Sequence, residues 1–237
     1  MEIMVKQKPE EKARQQIDKL LEGAEWTIQD YPEFNLGASL GVAVREFPLD
    51  SGFTDYLLFL ERSAGGVLEA KAEGTTLSGV SEQTAKYLTG IPKGHPKVQE
   101  SPPFSYESTG TETYFRDIRD PDTRSRRIFS FHRPETLKEW SSQPDTLRSR
   151  LKIIPSNYPL IKEGLRDCQF EAIQNLEQSF AQARPRALIQ MATGSGKTYT
   201  AVSFIYRLIK LQVPKGCFSW WTGATLDARQ KRNFSSM

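Results

Sequence analysis

The chain has 237 residues, of which 38% are hydrophobic and 26% charged, and carries a formal net charge of +3. That length suits one complete domain plus part of another, and the small positive excess is consistent with a DNA partner but far from a nucleic-acid tail. No run is apolar enough to span a membrane, Met1 opens a charged segment and not a secretion signal, and Cys168 and Cys217 suggest no disulfide framework, so a soluble cytoplasmic protein is expected.

The first predicted element is an amphipathic helix from Pro9 to Glu22, with Ala13, Ile17, Leu20, Leu21 and Ala24 along one side. Its Glu10 or Glu11 is a candidate first-helix acid near a metal site. Val42 to Phe47 alternates as a strand. Two apolar runs, Asp55 to Leu60 and Val67 to Gly74, then flank Glu61-Arg-Ser-Ala-Gly-Gly66, which reads as a hairpin with a polar, Gly-containing turn.

Asp55 and Glu69 are equidistant from Arg62, so folding about the turn sets them opposite each other, where cross-strand Cβ atoms lie roughly 4.5–5.5 Å apart. Glu69 and Lys71 share a face of one strand. Two carboxylates beside an ammonium can hold Mg²⁺ weakly and leave positions for water and a phosphate oxygen, with Lys71 orienting the water or offsetting developing charge. Glu-x-Lys is also a common exposed pair; the mirrored acid and the apolar strands on both sides favour phosphodiester hydrolysis. After the hairpin, Ser81 to Leu88 has helical spacing, and Gln83 and Tyr87 share a face one turn apart. They can contact a DNA backbone or position water; alternatively, Tyr87 and Leu88 are ordinary core contacts.

Asp55, Glu69 and Lys71 followed by Gln83 and Tyr87 resemble the PD-(D/E)xK nuclease domain of type I restriction enzyme R subunits. The stretches Gly41–Leu49, Glu73–Gly79, Tyr106–Gly110 and Phe129–Glu135 read like the same subunit, and the resemblance runs to about Lys210. It implies that Asp55 and Glu69 are metal ligands, Lys71 the catalytic lysine, and Gln83 with Tyr87 an accessory motif. It also implies double-stranded DNA as substrate and the methylation and specificity subunits as partners.

Ile91 to Tyr106, rich in Pro and Gly, reads as a long loop; strands are expected at Thr113–Phe115 and Ile128–Phe131. Arg116, Arg119, Arg124, Arg126, Arg127 and Arg133 are interleaved with Asp117, Asp120 and Asp122, forming either a phosphate-contacting stretch or an internally paired loop. His95 and His132 are isolated and read as structural or exposed. Glu135 to Trp140 begins a short helix, and Ser141 to Pro159 is a polar linker.

A second motif follows. Arg186–Met191 reads as a buried strand, Ala192-Thr193-Gly194-Ser195-Gly196-Lys197-Thr198 as a P-loop, and Tyr199–Lys210 as a helix with Val202, Ile205, Tyr206 and Ile209 on one face. The glycines let backbone amides close around phosphates, Lys197 reaches the β/γ-phosphates of ATP, and Thr198 ligates Mg²⁺. Ala192 in place of a leading Gly resembles superfamily 2 motors, and Gln169 resembles their adenine-reading residue, since a Gln amide can pair with the adenine edge.

The expected fold is α/β: an α+β nuclease core of PD-(D/E)xK type with a mixed sheet flanked by helices, then an incomplete RecA-like P-loop segment. The expected domains are 1–140 (endonuclease), 141–162 (linker), 163–215 (first part of the ATPase) and 216–237 (atypical tail). That tail has no Asp-Glu box and no clear strand, so a truncated motor that does not hydrolyse ATP productively is expected. A shifted reading frame over Gly216–Gln230 can encode a buried strand and polar loop of the same motor family. Three functions stay open: a Mg²⁺-dependent endonuclease domain, a non-catalytic truncated product, and a nucleotide- or DNA-binding module without chemistry.

Overall fold

The computed structural model describes residues 9–50, 52–77, 90–92, 94–99, 101–184 and 186–211. The chain divides into two compact units, Met1–Pro144 and Asp145–Met237. No helix among the described residues is long and apolar enough to cross a membrane.

The first unit opens with α1 (Pro9–Gly23) and β1 (Thr27–Asp30), followed by β2 (Gly41–Leu49), β3 (Gly52–Leu60), β4 (Ser63–Ala70), β5 (Phe104–Ser108), β6 (Thr113–Asp117), β7 (Arg126–Ile128) and α2 (Pro134–Ser142). The seven strands form one mixed sheet in sequence order. β1 runs parallel to β2 and β4 parallel to β5; the other neighbours are antiparallel. The central strands are covered on both faces, so they read as near-continuous apolar runs instead of strict alternation. One face carries Ala43, Tyr56, Leu58, Leu68 and Tyr106 against Ile17 and Leu21 of α1 and Leu137 of α2. The other carries Val42, Val44, Phe47, Leu57, Phe59 and Val67 with Ile91.

Several local expectations are corrected. The hairpin turn is two residues, not six: Glu61 and Arg62 have φ of 47° and 71°, the left-handed pair that a type I′ turn requires. Ser63 to Gly66 belong to β4, because these positions need small residues for a different reason. A Cβ on Gly66 would lie 2.5 Å from the carbonyl oxygen of Phe104 on the adjacent parallel strand. The expected loop through Tyr106 ends in β5, and the last strand is Arg126–Ile128, with Phe129 fully exposed beyond it. The arginine-rich stretch is internally paired: Arg119 with Asp117, Arg124 with Asp122, Arg126 with Asp120, Arg127 with Glu112 and Arg133 with Glu25. The helix expected at Ser81–Leu88 lies outside the described residues, as does the tail from Gly216.

The second unit contains α3 (Leu147–Asn157), α4 (Asp167–Ala181) and α5 (Lys197–Lys210). The stretch expected to be a polar linker therefore holds a helix, capped by Thr146, whose side chain accepts from the Ser149 amide. Leu147, Leu151 and Ile154 of α3 pack with Phe180, Phe204 and Leu208. Arg207 grips Glu177 through both carboxylate oxygens (2.6 and 3.2 Å) and donates to the Tyr158 carbonyl. Arg186–Met191 is not a strand; Leu188 is almost fully exposed. A parallel strand exists only with neighbours to bond, and no strand occurs among the described residues of this unit. For the same reason the face of α5 expected to be buried is not: Tyr206 and Ile209 are exposed, while Thr200 and Leu208 are buried.

Candidate functional site

The geometry of the site begins with a β-bulge. Leu60 pairs with Ser63 and Phe59 with Ala64, but Leu58 pairs with Gly66 and Tyr56 with Leu68, so Gly65 is left over on β4. Beyond the bulge the register makes Asp55 and Glu69 the next mirrored positions after Tyr56 and Leu68. A one-residue slip would send every later β4 side chain to the other face.

Asp55 and Glu69 line a single cavity of about 500 Å³, together with Arg14, Tyr31, Glu46, Phe53 and Thr54. Glu69 is buried at 4% exposure. One of its oxygens accepts from the Thr54 hydroxyl (3.1 Å), and the other lies 3.5 Å from Lys71 Nζ. Asp55 accepts from the Ala70 amide through Oδ2 (2.8 Å), and its Oδ1 is ion-paired with Arg14, which also holds Glu46 at 2.8 Å. Burial first, and then the charge of Asp55, push the Glu69 carboxyl above the usual range, with Lys71 and Thr54 opposing. Burial works against the charge on Arg14, but Asp55 and Glu46 outweigh it and raise its pKa.

The three hairpin residues singled out in the sequence are thus brought together, and Arg14 joins them unforeseen. The signal for Arg14 was its place in α1 beside Ala13, at the edge of the apolar stripe. Glu10 and Glu11, one turn earlier, do not line the cavity. Gln83 and Tyr87 lie outside the described residues. Glu107 on β5 is in register with Glu69 on the neighbouring parallel strand.

A hydrated Mg²⁺ fits the donor set of this cavity: two hard carboxylates, one of them raised in pKa partly by the other's charge, form a pair that a cation relieves. Among the described residues, no three His, Cys, Asp or Glu side chains are gathered closely enough to hold a metal ion by themselves. Water and phosphate oxygens would complete the shell.

In the second unit, Gly194 and Gly196 adopt left-handed φ values of 79° and 86°, and α5 begins at Lys197. Ser195 closes the loop by donating from N and Oγ to the Ala192 carbonyl. Lys197 Nζ lies over the loop, 3.4 and 3.5 Å from the carbonyls of Met191 and Ala192. Thr193 and Thr198 are exposed at the mouth. Gln169, nearly fully buried, accepts from the Arg166 amide and donates to the Ser195 carbonyl, both at 3.0 Å. Both ends of its amide are engaged, so an adenine edge would have to exchange for these bonds. Arg166 also donates to the Gly194 carbonyl.

The profile of the family described as "Type III restriction enzyme, res subunit" matches residues 162–236. The chain is 27% identical over 254 aligned positions to the type I restriction enzyme EcoKI endonuclease subunit of Escherichia coli (strain K12), covering 86% of this chain and 22% of that protein. The chain therefore spans about a fifth of the length of the curated relative it matches. It is also similar to a solved fragment described as an HsdR subunit of a type I restriction enzyme from Vibrio vulnificus YJ016, at 20% identity and a TM-score of 0.42, covering 87% of this chain and 39% of that one.

Proposed function

We propose that this chain carries a Mg²⁺-dependent DNA endonuclease module of PD-(D/E)xK type, of the kind found in type I restriction R subunits, followed by an ATP-binding P-loop segment. The observation that carries the reading is that Asp55 and Glu69 line one cavity, with Lys71 ion-paired to Glu69.

Asp55 and Glu69 would hold the ion, and the ion when bound supplies Lewis acidity toward a phosphate oxygen and lowers the pKa of a bound water. Lys71, anchored at 3.5 Å from Glu69, offsets the negative charge that grows on the phosphate as its ester bond breaks. Thr54 holds the Glu69 carboxylate and the Ala70 amide holds Asp55 Oδ2, while Asp55 Oδ1 would exchange its Arg14 ion pair for the metal. Lys197 and Thr198 would bind nucleotide phosphates and their Mg²⁺, with Gln169 as the adenine-reading candidate. Double-stranded DNA and the methylation and specificity subunits are the proposed partners.

The test is nicking of supercoiled DNA in Mg²⁺ by the chain and by Lys71→Ala. Nicking by the parent and a loss of about 10²–10³ in rate for the variant support the reading, the size expected for removing one preorganised charge-stabilising group; equal nicking by both sinks it. A second reading, a DNA- or nucleotide-binding module without chemistry, is favoured by the ion pair that Arg14 makes with Asp55.

A further inference from the structure

The cavity that holds Asp55 and Glu69 has a rim the hydrolysis reading does not use. Phe53 and Tyr31 line it, and both are unusually open for aromatic residues, at 69% and 44% exposure. Tyr31 is held in place by Phe47 (5.5 Å between centroids, edge-on) and by stacking on Phe34 (6.1 Å). Phe53 is fixed in β3, opposite Pro48 of β2. Arg14 lines the same cavity with a guanidinium, a fork that matches phosphate oxygens as well as carboxylates. The cavity thus offers aromatic faces, a guanidinium and three carboxylates within one space of about 500 Å³, inside the range of roughly 300–1,000 Å³ typical of small-ligand sites.

We infer that this cavity receives an unpaired nucleotide of a DNA strand, its base lying on the rim rings, chiefly Phe53, and its neighbouring phosphate meeting Arg14. The inference rests on the nuclease reading and adds a substrate class: single-stranded or locally opened DNA. An aromatic face can stack on any base that has left the duplex, but bases inside a duplex have both faces occupied by their neighbours. The charge count requires a cation for this. Among the described residues, Asp55, Glu69 and Glu46 face Arg14 and Lys71, so a phosphate would enter favourably with a divalent ion present. Asp55 would hold the ion in place of its Arg14 pair, which would leave that side of the Arg14 fork able to meet the phosphate.

The test reads binding, so that it stands apart from cleavage. Fluorescence anisotropy of a short labelled oligothymidylate, and of a duplex of equal length, is measured in Ca²⁺ with the full chain, Phe53→Ala and Phe53→Trp. Phe53→Ala is expected to weaken single-strand binding by roughly fivefold to a hundredfold, the worth of one base–aromatic stack, and to leave duplex binding unchanged. Phe53→Trp should retain single-strand affinity. Because Phe53 is 69% exposed, its removal opens no core, and a thermal melt matching the parent checks this. Unchanged single-strand affinity in Phe53→Ala, equal losses for both DNAs, or no single-strand binding by the parent overturns the inference. Lys71-dependent nicking with no effect of Phe53→Ala removes the stacking rim alone; a Phe53-dependent single-strand preference without nicking removes the nuclease reading alone.

Discussion

Asp55 and Glu69 face each other across β3 and β4 because Gly65 is passed over in the pairing of those strands. The two-residue turn by itself sets Leu60 against Ser63, a register in which Glu69 would fall opposite Thr54. The single extra residue moves Glu69 by one place, into alignment with Asp55. The adjoining Gly66 serves a separate need, since β5 passes so close that no side chain fits.

Gly66→Ala should therefore destabilise the first unit by about 1–3 kcal/mol, the usual cost of overpacking a rigid contact. Its Cβ would meet backbone, which cannot swing away as a side chain can. Urea unfolding followed by circular dichroism measures the loss; a midpoint equal to the parent's contradicts the packing described.

Glu69→Gln should raise the melting temperature at neutral pH in the absence of divalent ions, while abolishing Mg²⁺-dependent nicking. A carboxyl whose folded pKa lies above its unfolded value favours the native state only while protonated, and that contribution is lost as pH climbs through the elevated pKa. The variant's advantage should vanish below about pH 4, where the carboxyl is protonated in both states. Melting curves across that range check it.

His132 should make the first unit acid-sensitive. Burial lowers its pKa from 6.5 to about 4, and its Nδ1 shares a 2.8 Å hydrogen bond with the Tyr106 hydroxyl. Between those values the unfolded chain binds the proton and the native one does not, so stability is full above the higher value and falls as pH drops toward the lower. The loss should reach about 2–3 kcal/mol and be much reduced in His132→Asn, as read from denaturant midpoints against pH.

Arg207→Met should unfold the second unit or cost it about 3–5 kcal/mol, because Glu177 would remain buried without its partner. Replacing both Arg207 and Glu177 with apolar residues should recover most of that loss. Urea unfolding of the two variants separates these outcomes.

Lys197→Ala should weaken binding of a fluorescent ATP analogue by about tenfold to a hundredfold, the worth of one charge-assisted contact. Equal affinity in the variant would show that the loop around Gly194 and Gly196 is not a phosphate cradle.

The hairpin is legible because its symmetry is written twice, in the apolar runs and in the spacing of Asp55 and Glu69 about Arg62. Its turn is not legible, because glycine has two uses. Gly65 and Gly66 look like turn residues, but one is the bulge and the other makes room for Phe104, while Glu61 and Arg62 take up the left-handed turn with no compositional signal. Arg14 is not legible in the sequence, because a helix edge residue declares its partner only when the sheet beneath it is placed. β1 and β5 are too short for periodicity to separate from loop. Arg186–Met191 shows the converse: a strand-like sequence remains irregular without ladder partners, whatever its propensity.

The amide of Gln169 closes one last circuit. It ties the first turn of α4 to the backbone between the two left-handed glycines, and Gly196 is bare where that amide leans across it. A ligand that pulled the loop open would tug at the start of the preceding helix, and a ligand that claimed the amide would slacken the loop. Occupancy at either place is thereby expected to be felt at the other through that one side chain.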